Sequence, residues 1–423
     1  MNDSLKFPPL LADFRLLLML FVAFRASLLL AYPPFFIDGV ERGIGAGGDR
    51  LYHYVLSSLE DEGLWPFRDW WSEFPPLWYL TTTGVHALLG AQASYDNWSL
   101  VLGMLAITFE VGNLALLRRI GARLHGEGLG LALAWLYAVL LAPTIFMWWN
   151  FDSWATLALL GGISLALENR PRLTGVMLGI GALVKFVPLL VLGALARFWP
   201  WRRAALSAGT AFAVFALAYV PLFALNADFA LISLTAQFGK PSYQTVWALI
   251  DGNYTTGNFG TVESHLRADG VDEGVGERNP PRIPSWLRLG VALALGLAAF
   301  LRVRRADSLG LIAFVGLTFI VFYLQSQGWS PQWLSQIIPL TLLVFPSRDG
   351  VLTVVMLSVL AFVEYPFLFI RTGDAGGVFQ PSHPSFSLWV LVVLARSAIL
   401  VGLGWAFYRK LRQQPNPLLT LER

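Results

Sequence analysis

Five short stretches hold most of the residues in this chain that could do chemistry. Asp49 opens "DRLYHYVLSSLE", and Tyr52 and His53 follow it at helical spacing, so the three share one face. "PFRDWWSEFPPLWYL" (66–80) packs Arg68, Asp69 and Glu73 among aromatics and a double proline. Asp152 sits in "NFDSW", and Lys185 in "LGIGALVKFVPLL". Lys240 lies in "FGKPSYQTVWALIDGN", and Ser330 and Gln332 in "SQGWSPQWLSQIIPL". A carboxylate in a half-dry setting can serve as a general base, because desolvation raises its pKa toward a useful value. Helix N-capping is the competing reading for both Asp49 and Asp152. Lys185 is one of four lysines, at positions 6, 185, 240 and 410. Inside a membrane such a charge costs about 3 kcal/mol unless it is paired or reaches water, which favours a functional cation over simple snorkelling. Neutral amides beside indoles, as around Gln332, match the hydroxyl edges and C–H faces of a sugar.

The elements that must position these groups are membrane helices. Of 423 residues 56% are hydrophobic and 13% charged, half the roughly 25% charge of a soluble domain. The mean hydropathy is +0.59. Apolar runs at 129–149, 204–225 and 386–407 reach the roughly 20 residues that cross a bilayer. The first, at 14–36, is broken by Arg15 and Arg25 and lacks a small-residue cleavage pattern, so it reads as a retained span. Arginine and lysine cluster in short loops, which places those loops and both termini on the cytoplasmic side. The segments 37–97, 150–153, 226–284, 325–331 and 371–385 then fall outside. Two segments do not fit as spans under this rule. Residues 75–90 begin and end outside, and 173–197 begins and ends inside, so the latter reads as two half-helices meeting near Lys185 and Pro188. Such backbone is tolerated only in protein or around a cavity. The expectation is an all-α polytopic bundle of about 10–12 membrane segments, with re-entrant or juxtamembrane helices. It forms one domain over 1–423, with a first external loop (37–97), a second (226–284) and C-terminal membrane helices (285–423).

Several classes of chemistry are set aside. There is no cysteine, which excludes disulfides and thiol chemistry. The histidines at 53, 86, 125, 265 and 383 lack metal-ligand spacing, and no nucleophile elbow is present. "GIGAGG" before Asp49 follows no strand and is not a dinucleotide loop. The net charge of +3 is a topology signal and not a nucleic-acid patch.

Taken in order, Asp49 with its tyrosines, "PFRDWWSEFPPLWYL", "NFDSW", "GALVKFVPLL", "KPSYQTVWALIDGN" and "WSPQWLSQIIPL" resemble the GT-C superfamily of integral membrane glycosyltransferases. The likeness is to the bacterial mannosyltransferase-like branch that uses polyprenyl-phosphate-linked sugars, and it covers positions 49–340. That branch shows D-x-x-x-Y, then P-Y-x-D-x-x-x-E-Y-P-P-L, G-Q-F-D, K-x-x-P-L and S-P-Q-Y. Asn150, Phe74 and Trp333 depart from it, and Asp38 rivals Asp49 as the base. The resemblance implies inverting transfer of a sugar, mannose or another hexose or pentose, to a lipid, glycan or protein acceptor. It implies a plasma-membrane enzyme with its site on the external face.

Carried over residue by residue, the resemblance makes Asp49 the catalytic base. Lys185 matches the K-x-x-P lysine, and charge adds Lys240 and Arg68 as cations for the donor phosphate. Tyr52, Asp69, Glu73, Asp152, Ser330 and Gln332 become the substrate-binding set. No cofactor is required and a divalent cation is left open. The expected partners are the lipid-linked donor, its acceptor and membrane lipids, with no nucleic acid. The rival reading is a transporter or flippase of lipid-linked sugars, which also needs intramembrane charge and broken helices.

Overall fold

The computed structural model describes residues 8–33, 35–37, 40–42, 49–146, 151–257, 260–271, 278–368 and 380–419. Asp38 and Asn150 lie outside these residues. The chain is an all-α polytopic bundle. Among the described residues its only sheet is a small antiparallel hairpin, Phe35–Ile37 with Val40–Arg42. A strand therefore does precede "GIGAGG", contrary to the sequence expectation, but it is an antiparallel pair and not the parallel unit of a dinucleotide fold.

Among the described residues, seven helices are long and apolar enough to cross a membrane: Phe14–Ala31, Tyr95–His125, Trp201–Leu225, Ser285–Arg302, Ser308–Gln325, Arg348–Leu368 and Phe386–Leu411. Other apolar helices, Glu127–Val139, Asp152–Leu167 and Val187–Phe198, are shorter. The apolar run 129–149 is therefore not one continuous helix. Its helix stops at Leu140, which is extended, and a second begins at Leu141 with Pro143 in its first turn, where a proline is tolerated.

Hydropathy does not say which helix faces lipid, but burial does. Trp201–Leu225 and Ser308–Gln325 are almost equally apolar, yet most of the first is exposed on the surface and most of the second is buried in the bundle. Leu334–Val344 is buried at all 11 of its positions and forms the centre of the C-terminal half, as a helix apolar all round should. Arg25 in the first span is buried as well. Its guanidinium donates to the Ala138 carbonyl and the Thr144 hydroxyl and lies 3.5 Å from the Phe21 ring centroid.

Both non-crossing segments are present. Pro76–Leu89 has 14 residues, about 21 Å at 1.5 Å per residue, short of the roughly 30 Å hydrocarbon core. Pro76 occupies its first position and Pro75 its N-cap, where fixed φ and a missing N–H cost nothing. The expected hairpin at 173–197 is the helix Pro171–Ala182, a break, a 3-10 turn Val187–Leu190 and the helix Val191–Phe198. The amide of Leu77 donates to the carbonyl of Leu183 at 2.9 Å, so the double-proline helix starts against the tip of this hairpin.

The hairpin is held by close backbone approach. A Cβ at Gly175 would meet the Ser207 carbonyl oxygen at 2.3 Å, and one at Gly179 the Ala211 oxygen at 2.8 Å. Small residues four apart let two membrane helices approach without a hydrophobic driving force. Gly175→Ala is expected to force the hairpin away from Trp201–Leu225 and cost about 1–3 kcal/mol. Thermal unfolding in detergent should show a lower midpoint, whereas Gly193→Ala, facing open space, should not.

Candidate active site

A cavity of about 960 Å3 opens beside the hairpin tip, at the upper end of the roughly 300–1,000 Å3 usual for ligand sites. Its walls come from each of the stretches singled out by sequence. Asp49, Tyr52, Glu73, Lys185, Lys240, Ser330 and Gln332 all line it, among Phe74, Phe151, Phe186, Tyr243 and Trp333.

Asp49 stands at the N-cap of the helix Arg50–Ser58, but its side chain makes no capping bond. The carboxylate presents accessible surface to the cavity instead. Enclosure by protein on its other sides pushes its pKa up, Lys240 and Lys185 pull it down, and Asp152 adds to the rise. Glu73 is buried, 3% exposed. Burial lifts its carboxyl to about 7, against the pull of Lys240. Lys240 is the mirror case, lowered to about 8 by burial while Glu73 and Asp49 oppose the shift. The cavity thus holds acids and a cation whose charges are set by one another.

Tyr52 connects this pair to a residue that sequence spacing did not single out. Its hydroxyl lies 2.5 Å from His265 Nε2 and 3.5 Å from Glu73 Oε2. His265 Nδ1 faces the Trp71 carbonyl at 2.7 Å, which can only accept. Nδ1 therefore carries the proton and Nε2 accepts from Tyr52. Burial lowers the His265 pKa to about 4, so the ring is neutral at pH 7. Its imidazole stacks on Trp71 with centroids 4.0 Å apart. The contact joins positions 213 apart, which no local pattern reveals.

Lys185 occupies the break in the hairpin. Its ammonium donates to Asp152 Oδ1 at 2.7 Å and lies 5.5 Å from the Phe151 ring and 5.2 Å from that of Trp333. Asp152 is the first residue of the helix Asp152–Leu167 and is 1% exposed. Its Oδ1 also accepts from Gln336 Nε2 at 2.9 Å, and Tyr323 donates to Gln336 Oε1. Asp152 therefore does not line the cavity and sits behind Lys185, neither an N-cap nor a group at the mouth.

Backbone contacts draw the loops together. The Gln237 amide donates to the Glu73 carbonyl, and Gln327 donates to the Gln237 carbonyl. The Tyr243 amide bonds the Gln327 carbonyl, and Trp329 bonds back to the Tyr243 carbonyl. Gly328 between them has no room for a side chain, since a Cβ would lie 2.1 Å from the Tyr243 ring.

Arg68 and Asp69 are not brought to the cavity. Arg68 Nε pairs with Asp69 at 2.6 Å and its Nη2 donates to the Gly63 carbonyl, while Asp69 also accepts from the Trp65 amide. Half of the Arg68 side chain is exposed. The pair closes its own turn and leaves Glu73 unassisted by Arg68.

Among the described residues, one group could share a metal ion: Glu60, Asp61 and His86, whose ligand atoms lie within 4.8 Å of one another. His86 Nδ1 is 3.0 Å from Glu60 and 3.9 Å from Asp61. None of the three lines the cavity.

No family model and no curated protein sequence matches the chain. In structure it is similar to the apo oligosaccharyltransferase of Archaeoglobus fulgidus, at 14% identity and a TM-score of 0.44, over 95% of this chain and 56% of that one. It is also similar to ArnT from Cupriavidus metallidurans bound to undecaprenyl phosphate, at 14% identity and a TM-score of 0.45, over 93% and 73% of the two chains. The chain thus spans little more than half the length of the archaeal enzyme.

Removing one member of the Lys185–Asp152 pair leaves a buried charge without its partner. Lys185→Met and Asp152→Asn should each destabilise by about 3–5 kcal/mol, and the double variant by less than their sum. Chemical unfolding of the four proteins measures this. Glu73 supplies a pH test. Its carboxyl is raised from 4.5 to about 7 on folding. Between these values the unfolded chain is ionised and the folded one protonated, so unfolding releases a proton and raising the pH favours it. Stability from this group is present below 4.5 and lost as the pH rises through about 7. The midpoint difference between wild type and Glu73→Gln, measured from pH 4.5 to 8, should change with that sign.

Proposed function

We propose that this protein is a GT-C-type glycosyltransferase that moves a sugar from a polyprenyl-phosphate donor to an acceptor hydroxyl at the membrane surface. The observation that carries the reading is the Asp49 carboxylate. It is at a helix N-terminus without capping it and faces a cavity that also holds Glu73, Lys185 and Lys240. A structural N-cap would spend this carboxylate on the backbone.

In this reading the acceptor oxygen attacks the anomeric carbon as its proton passes to Asp49. The bond from that carbon to the phosphate oxygen breaks, and polyprenyl phosphate leaves with the electron pair. Inversion follows from a single in-line displacement. Negative charge grows on the phosphate as the bond breaks, so a fixed cation stabilises the transition state more than the ground state. Lys240 and Lys185 are those cations, and Arg68, closed on Asp69, is not one of them. Glu73, with its raised pKa, donates a hydrogen bond to a sugar or acceptor oxygen. Ser330, Gln332 and the face of Trp333 suit a pyranose ring. A donor with a long lipid chain accounts for a reaction cavity built among membrane helices.

Purified protein should transfer labelled sugar from at least one member of a panel of polyprenyl-phosphate sugars, with a crude lipid extract supplying acceptors. Asp49→Asn should fold normally and lose about 10²–10⁴-fold in turnover, the usual worth of a general base. Equal turnover by the variant would remove Asp49 as base. No transfer by wild type across the panel would favour lipid translocation, which vesicle assays would then detect.

A further inference from the structure

A second, smaller cavity of about 230 Å3 adjoins the reaction cavity. It shares Lys240, Phe238, Ser285, Gln327 and Arg288 with the larger one, and Arg278 joins its wall. The space is too small for a sugar with a lipid chain, below the roughly 300 Å3 of ordinary ligand sites, and suits one compact group.

Its chemistry is set by Arg288. This guanidinium is 5% exposed. Nη2 donates to the Ser285 hydroxyl at 2.9 Å, and the carbon at its centre lies 5.1 Å from the Trp247 ring. Nε and Nη1 are buried, and no acceptor among the described residues meets them. Asp251, the nearest acid, is otherwise engaged: its carboxylate accepts from the Arg282 amide and the Ser242 hydroxyl. A ring face does not replace two lost hydrogen bonds to a buried cation. With Lys240 and Arg278 it makes three cations on the wall of a space that, among the described residues, no carboxylate lines, and such a wall suits a compact anion.

We propose that this annex binds the anionic group, phosphate or carboxylate, of the acceptor substrate, with Arg288, Arg278 and Lys240 as the cations around it. The assignment rests on the glycosyltransferase reading above. It places the donor phosphate on the near side of Lys240, beside Lys185, and the acceptor's charge on the far side. An acceptor held by its own anion would present a neighbouring hydroxyl to Asp49 across the shared mouth. The acceptors favoured are then acidic lipids or acidic glycans, and neutral ones are poor.

The test uses the full chain in neutral detergent, saturated with polyprenyl phosphate, and radiolabelled glycerol 3-phosphate as probe, with glycerol as the neutral control. Wild type should bind the phosphate and not glycerol. Arg288→Gln should weaken that binding about tenfold or more, and Arg288→Lys by less, while both bind polyprenyl phosphate within about twofold of wild type. Arg278→Gln carries the same expectation should the Arg288 variants fail to fold. The proposal is overturned if wild type does not bind glycerol 3-phosphate, or if Arg288→Gln binds it as tightly. It is also overturned if polyprenyl phosphate displaces the probe, since the annex would then be the donor's own phosphate seat. The two readings fail separately, because probe binding is read without turnover. Transfer without probe binding sinks the anionic acceptor alone, and probe binding with no transfer from any donor sinks the enzyme reading.

Discussion

The ion pair between Lys185 and Asp152 is the constraint on which the cavity depends. A lysine ammonium among membrane helices is tolerable only with an anion beside it, and Asp152 is that anion at 2.7 Å. The pair ties the break in the hairpin to the start of Asp152–Leu167, and Gln336 brings Leu334–Val344 to the same carboxylate. The Leu77 amide is bonded two residues before Lys185, so the double-proline helix is fixed from this point too. Each of these elements then offers its end, and not its side, to the space above. Helix ends carry unsatisfied backbone groups and polar caps, which is why polar groups gather on the wall of a cavity that is otherwise mostly apolar.

Much of this architecture is legible in the sequence, for reasons that can be named. The hairpin at 171–198 follows from charge, since arginines at both ends demand the same side of the membrane. The helix at 76–89 follows from charge as well, since the span that comes next must start outside for Arg118 and Arg119 to end inside. Lys185 stands out because so few lysines exist. What is not legible depends on contacts between distant positions. His265 reaches Tyr52 across more than two hundred residues, and His86 meets Glu60 and Asp61 only after two helices fold back on each other. Arg68 and Asp69 misled for the opposite reason. They satisfy each other within one turn, so nothing remains to reach the cavity. The run at 129–149 has the hydropathy of a single span, and the break at Leu140 that divides it falls where Pro143 has no N–H for the carbonyl four residues back.

Burial also explains why two lysines of similar surroundings differ. Lys185 donates to the Asp152 carboxylate. Lys240 is lowered to about 8 by burial, against the pull of Glu73 and Asp49, which leaves its charge responsive to what occupies the cavity. Under the proposed reaction, an arriving phosphate adds negative charge next to both Lys240 and Glu73. The same field raises both pKa values, holding Lys240 protonated and keeping Glu73 in the protonated form that donates a hydrogen bond. Asp49, on the side of the acceptor hydroxyl, then has to remain the ionised acid. Its proximity to two lysines favours that state. Donor binding would thus sort two carboxyls of similar chemistry into a hydrogen-bond donor and a base, and would do so only when the phosphate is in place.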